Sequence, residues 1–498
     1  MTEARTVDLS AHPLTAWTGQ LGLPDFSRIG DGDFGPVFDA ALEAHEAEIA
    51  AIADNKDAPT IDNRLAALEL SGDALERVSS IFWCRAGAHT NDAIQAMERE
   101  VSPKMSRHFS AISMNGKLFS RIDDLYRRRH ALGLDAETLR VLERTWKGFV
   151  RSGAKLDAAD KKRLAAINEK LSSLGTTFGQ NVLADESDWA LFLDEADLAG
   201  LPDFLKSSMA EAAGMRGRKG RYAVTLSRSI YEPFTTFSGR RDLREAAFRA
   251  FTMRGQNGGA HDNGTVVRDM LELRAQKAKL LGYDSYAALK LDDTMAKTPK
   301  AVRDLLDPVW TKALEKAAAD QTELERLAAQ DGSNEKFAAW DWRFYQEKLR
   351  AEKFAFDEVE LKPYLQLDRI IAACFEVATR LFGITFEEKK GVPAWHPDVR
   401  AFVVRNADGS ERGLFLADYF ARPSKRSGAW MSALRSGHKL GEGSQPVIYN
   451  IMNFAKPPAG EPALLSVDEA KTLFHEFGHA LHGMLTEVTW PSVSGTSV

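Results

Sequence analysis

Across roughly the first 380 residues, apolar positions recur at three- and four-residue spacing, the period of a helix with one buried face. In residues 36–54 (PVFDAALEAHEAEIAAIAD) the apolar side chains share one face and the glutamates take the other. The same pattern predicts helices over 64–82, 136–150 and 158–174. Thr298-Pro299 opens a longer helix, since Thr is a good N-cap and Pro suits the first helical position. Val302, Leu305, Leu306 and Val309 form its expected buried stripe, and Pro308 should bend or interrupt it. Each stripe reads as core packing rather than as a groove for a ligand.

Two Gly-rich passages break the helices. Residues 254–264 (RGQNGGAHDNG) read as a loop between helices, and residues 422–446 as a long, mixed segment that is mobile in part. Between them the period changes. Phe402-Val403-Val404 and Leu414-Phe415-Leu416 flank a turn at Asp408-Gly409, the signature of a β-hairpin, and residues 447–452 (VIYNIM) add a strand. A small sheet is therefore expected just ahead of the last helix of a mainly α chain, with no internal repeat and no low-complexity tract.

A chain of 498 residues is long for one core and predicts two or three, or one large bilobal body. The expected division is an N-terminal helical region, residues 1–230, and a catalytic region, 231–498. Apolar residues at 44% and charged residues at 27% are ordinary globular usage. No apolar run approaches the roughly 20 residues of a membrane span, and the N-terminus lacks a secretory signal. Cys84 and Cys374 are too few for a disulfide framework or a thiolate cluster, so a reducing, cytoplasmic location is expected. The net charge of −6 argues against nucleic acid as the main partner. Arg127-Arg128-Arg129 and the arginines between 216 and 221 read as solvated faces. There is no Walker loop, no G-x-G-x-x-G and no G-x-S-x-G, which removes nucleotide-driven and serine-hydrolase chemistry.

The chemistry concentrates in His475-Glu476-Phe477-Gly478-His479. Ser466 followed by Glu469 has the form of a capping box, so a helix should begin there and carry the motif. His475 and His479 then lie one turn apart on one face and can reach a single Zn²⁺, while Glu476 projects beside the ion as a general base. Zinc lowers the pKa of bound water to about 7 and polarises the scissile carbonyl; Glu476 would take the proton and return it to the leaving amine. Among chains with 11 histidines, H-E-x-x-H arises by accident on the order of once in a hundred. His482 shares the face but sits about 10 Å from position 475 along the axis, so it is assigned to packing or to supporting the ligands. The metzincin pattern would need Gly at 482 and His at 485, where the chain has His482 and Leu485. Glu487 is too far along to close the site. A catalytic zinc takes three protein ligands, and only two can be named here.

HEFGHALHGML, followed by Pro491-Ser492-Val493-Ser494-Gly495-Thr496, resembles the M3 family of zinc oligopeptidases, most closely its bacterial peptidyl-dipeptidase branch. The likeness extends to residues 57–63, 151–156, 295–299, 340–342, 415–420 and 425–430, and so spans essentially the whole chain. It implies a mainly helical, bilobal zincin-type body with a narrow channel that admits short peptides, and release of dipeptides from their C-termini. Internal cleavage, as in the oligopeptidase A branch, is the rival within the class. The resemblance also implies His475 and His479 as zinc ligands and Glu476 as the base. In this family the third ligand is a glutamate a little downstream of the Ser-Gly-Thr segment, where this chain reaches Val498, and the tyrosine and histidine that stabilise the intermediate lie further on. The expectation is thus a C-terminally truncated peptidase of weak or absent activity, with a non-catalytic peptide- or partner-binding shell as the alternative from another class.

Overall fold

The computed structural model describes residues 7–354, 358–458 and 460–497. Phe34–Asp54, Ala136–Arg151 and Ala158–Asp188 are helices where the periodicity places them, the last running well beyond its apolar pattern on a polar continuation. The expected helix over 64–82 is two pieces. A π-helical turn at Ile61–Ala66 leads into Ala67–Glu69, and a new helix, Asp73–Ala88, starts after Gly72. Gly72 has φ 79°, and a Cβ there would lie 2.9 Å from the ring of buried His45. Both backbone and space demand glycine, and the helical period cannot report that.

The helix Pro299–Gln330 is capped by Thr298, whose side chain accepts the Ala301 N–H at 3.2 Å, and it runs unbroken through Pro308. Its expected buried stripe is not buried: Leu305, Leu306 and Val309 are 69%, 51% and 61% exposed. Among the described residues its buried side chains lie in its last turns, where Leu324, Leu327 and Ala328 pack against Tyr345 of the helix Trp342–Phe354. An amphipathic stripe states that a face is apolar; it does not state that the described residues supply its partner.

Strands β1 (Leu191–Leu193) and β2 (Tyr222–Val224) form a short antiparallel pair. The main sheet comprises β3 (Thr385–Lys389), β4 (Arg400–Arg405), β5 (Glu411–Phe420), β6 (Trp430–Arg435) and β7 (Val447–Phe454), in the order β3-β4-β5-β7-β6. β4 and β5 are the expected hairpin, with Gly409 at φ 84° in its turn. β5 and β7 are parallel, and β6 lies antiparallel on the outer side of β7. The sequence did not announce β1 or β2, nor, in this sheet, β3 and β6. These last two are edge strands, stabilised by one neighbour, and β6 occupies the segment read as partly mobile.

The sheet is covered on both faces, which explains why FVV, LFL and VIYNIM are continuous apolar runs. Val403, Leu414, Leu416, Val447, Tyr449 and Ile451 pack in one core with Phe34, Val78, Ile81 and Phe82 from the N-terminal helices. The alternating set Phe402, Val404, Phe415, Ile448 and Met452 faces the helices Leu367–Phe382 and Val467–Met484. No helix among the described residues is long and apolar enough to cross a membrane.

Arg244 and Asp341, both 2% exposed, form an ion pair at 2.9 Å that ties the helix Arg241–Thr252 to the turn Ala339–Asp341. Arg241 adds a second contact to the same carboxylate at 2.8 Å. Removing the carboxylate strands a buried guanidinium, so Asp341→Ala should cost about 3–5 kcal/mol of unfolding free energy. Urea denaturation checks it; a loss below about 1 kcal/mol would contradict the pairing.

Candidate active site

The capping box forms as expected. Ser466 Oγ accepts the Glu469 N–H at 3.1 Å, and the Glu469 carboxylate accepts the Ser466 N–H at 2.8 Å. The helix Val467–Met484 starts there and buries Ala470, Leu473, Phe477, Ala480 and Met484 on the sheet. Phe477 sets its rotation: its ring centroid lies 5.6 Å from each of Phe375, Phe386 and Phe415. Gly483 seats the C-terminal turn, since a Cβ there would come within 2.8 Å of Ile448.

With that face buried, His475 and His479 project from the opposite side, exposed, with their Nε2 atoms 3.1 Å apart. Zn–N bonds of about 2.0–2.1 Å at a tetrahedral angle would separate two nitrogens by about 3.3 Å, so the imidazoles fit two positions of such an ion. Glu476 is 8% exposed, between the histidine face and the packed face. His482 is exposed rather than packed, which corrects the packing role expected of it. Glu487 pairs with Arg412 at 2.9 Å and Lys439 at 2.7 Å, away from the histidines. Among the described residues no three His, Cys, Asp or Glu side chains gather as a metal cluster.

The chain after the helix folds back along it. Trp490 is buried and its Nε1 donates to Thr138 Oγ1 at 3.1 Å, Ser494 Oγ donates to Gly437 O at 2.7 Å, and Gly495 packs against Gly483.

His475 and Glu476 line a cleft of about 690 Å³. One wall is the N-terminal half of their helix, from Ser466 through Thr472. The other is formed by the helices Asp203–Met215 and Arg228–Phe237. Residues 421–429, leading into β6, make its base. Asn453 holds that base by donating to Arg426 O at 2.9 Å and Gly428 O at 2.7 Å.

Beneath it lies Asp418, fully buried. Arg422 and Lys425 pair with it at 2.5 and 2.7 Å, and Trp395 Nε1 donates to it at 2.9 Å. Burial alone would raise this carboxyl, but the two cations outweigh it and hold it below its ordinary range. Burial lowers Lys425 to about 8 in spite of its partner. Lys425 also donates to Phe420 O at 2.6 Å and Met452 O at 2.9 Å, fastening the ends of β5 and β7. The sequence marked Phe415-Leu416 as strand and 422–446 as a Gly-rich segment, and singled out 417–420 and 425–430 only through the family resemblance. Asp418 itself carries no local signal, because an acid inside an apolar strand is legible only once its cations are known.

The comparisons with known proteins agree with this architecture. The model of peptidase family M3 matches residues 234–498. A dipeptidyl carboxypeptidase of Salmonella typhimurium is 39% identical over 95% of this chain and 70% of its own length. The Escherichia coli dipeptidyl carboxypeptidase is 38% identical over the same shares, and Escherichia coli oligopeptidase A is 31% identical over 95% and 71%.

The chain belongs to peptidase family M3. It is a mainly helical metallopeptidase-family protein, and peptide hydrolysis is the activity of the class.

The surroundings of Asp418 make stability depend on pH. Burial and then Arg422 lower His396 to about 4; burial, Arg422 and Arg85 lower His89. Below about pH 6.5 the unfolded chain therefore binds protons that these imidazoles refuse in the folded state. Stability contributed above that pH is lost progressively toward pH 4. The urea midpoint should fall over this window, and His396→Gln should make the fall shallower; an unchanged slope would refute the assignment.

Proposed function

We propose that this M3 protein is a zinc-dependent oligopeptidase whose ion is held by His475 and His479 and whose general base is Glu476. The observation that carries the reading is the pair of imidazole Nε2 atoms 3.1 Å apart at a cleft edge, with a buried carboxylate next to them in sequence. When bound, zinc supplies an acidified water and a polarised peptide carbonyl. The chain's own residues do the rest. Glu476 takes a proton from water and delivers it to the departing amine, the cleft keeps bulk water from the peptide, and the exposed histidine face stays open to the ion. The outer edge of β6, beside Ser427, Gly428 and Ala429 in the cleft, suits an extended peptide adding as a further strand.

Release of C-terminal dipeptides is the preferred mode, on the resemblance to the two dipeptidyl carboxypeptidases; internal cleavage follows the weaker resemblance to oligopeptidase A. Masses of the products from a free and a C-terminally blocked peptide separate the two. Two buried, unbridged cysteines fit a cytoplasmic setting.

Two imidazoles without a third donor among the described residues favour weak metal binding by a polypeptide of these 498 residues, and with it slow hydrolysis or peptide binding alone. Competition with a chromophoric chelator should give weak one-to-one zinc binding, weakened further by about tenfold or more in His475→Ala and His479→Ala. Tightly held, stoichiometric zinc with brisk dipeptide release would overturn the two-ligand reading.

Glu476→Gln should leave zinc affinity unchanged and lower residual hydrolysis by about 10²–10⁴-fold. Loss of zinc in this variant, or full activity, would remove Glu476 from the role of base.

A further inference from the structure

The arginine-rich turn RGRKGR at 216–221 does not behave as one solvated face. Arg218 stacks on Phe192, with its guanidinium carbon 5.8 Å from the ring centroid, and Arg221 pairs with Asp194 at 2.9 Å. Arg216 turns the other way. It follows the helix Asp203–Met215 and lines the same cleft as His475 and Glu476, half-buried.

Its lack of an ion partner sets it apart from the buried and half-buried cations there, and from exposed Arg343, which is paired as well. Arg343 pairs with Glu232 at 3.0 Å, Arg422 and Lys425 share Asp418, and Lys456 pairs with Asp398 at 2.8 Å. Lys362 lies on the Phe204 ring. Among the described residues Arg216 makes one hydrogen bond, 3.3 Å from Nη1 to Ala212 O, and no ion pair. Burial therefore depresses its ordinary basicity with no counter-charge to offset the cost. A guanidinium presents five N–H donors in a planar fork, and a single carbonyl at the helix end uses one. Arg216 lines the cleft, where an occupant with a carboxylate could take two of the remaining donors at once. The nearby carboxylates are not that occupant: Glu186 is held by Arg254 and Ser427, and Glu232 by Arg343. Glu211, on the same helix and lining the same cleft, forms no ion pair with Arg216.

We propose that Arg216 is a specificity-determining residue that binds a carboxylate of the peptide occupying the cleft, either its C-terminus or an acidic side chain. The inference rests on the peptide-cleft reading above and adds the charge that the cleft selects. Glu211 stays available for a peptide amine, which makes the wall dipolar rather than uniformly basic.

The test is calorimetric binding to the full chain carrying Glu476→Gln, which keeps the peptides intact. Three probes serve: N-acetyl tetraalanine as the free acid, the same peptide as its amide, and an amide with one alanine replaced by glutamate. At least one carboxylate-bearing probe should bind about 10- to 100-fold more tightly than the plain amide. A preference for the free acid assigns the contact to the C-terminus; a preference for the glutamate amide assigns it to a side chain. Arg216→Gln should erase the preference while leaving the plain amide's affinity unchanged, a split that general damage to the wall would not produce. Arg216→Lys should retain part of it. Equal binding of all three probes, or a preference that survives Arg216→Gln, would overturn the role of Arg216 while leaving a peptide cleft in place. Failure of every probe to bind would overturn the peptide-cleft reading with it.

Discussion

The site depends on how one helix is turned against one sheet. Leu473, Phe477, Ala480 and Met484 recur at three- and four-residue spacing, and the sheet beneath offers Phe402, Phe415, Ile448 and Met452 to receive them. Phe477 sits among Phe375, Phe386 and Phe415 at distances typical of favourable ring pairs. A rotation by one residue, about 100°, would lift this ring out and turn Glu476 or Gly478 into its place. The phenylalanine inside the motif thus fixes the direction of the two histidines outside it. Glu476, next to Phe477, is buried by the same packing.

The second constraint is electrostatic. Asp418 is costly to bury, and two cations and an indole N–H compensate it. Those partners come from the stretch that forms the base of the cleft, so the charge that β5 carries inward folds residues 422–425 over its end. Arg422 reaches further, to the carbonyl of Ala88 at the end of the helix Asp73–Ala88. Arg426, just beyond, pairs with buried Glu98 at 2.7 Å. The cleft base is thereby tied to the N-terminal helices by charged groups together with backbone hydrogen bonds, Arg426 N–H to Gly87 O and Thr90 N–H to Ser424 O. The ion pairs hold direction more than they add stability, because each pair spends much of its attraction on desolvation.

How much of this was legible follows from the range of each signal. The Ser466 and Thr298 caps, the β4–β5 hairpin and the one-turn spacing of His475 and His479 are local and are found in the structure. So are the periodic helices, apart from the break at Gly72 in the one expected over 64–82. β3 and β6 were missed because an edge strand is defined by its neighbour. The exposed stripe at Leu305, Leu306 and Val309 was misread because periodicity reports the face of a helix and not its partner. The arginines at 216–221 were read as one solvated cluster, yet glycines with positive φ at 217 and 220 turn the backbone between them. That reversal sends side chains two to five residues apart to different surfaces. Charge runs interrupted by glycine should therefore be read residue by residue.

Continuity of the core also limits what sequence boundaries can mean. The family model matches residues 234–498, which include the main sheet and the helix carrying His475, Glu476 and His479. Yet Val403, Leu414, Leu416, Val447 and Tyr449, on one face of the sheet, are covered by Phe34, Val78, Ile81 and Phe82. Without that cover, the strands under the motif helix would present a whole apolar face to water, and Asp418 would lose the dry surroundings that make its ion pairs strong. The residues that perform chemistry and those that keep their platform folded are thus far apart in sequence. The platform couples them because a sheet buried on both faces requires helices from two separate parts of the chain.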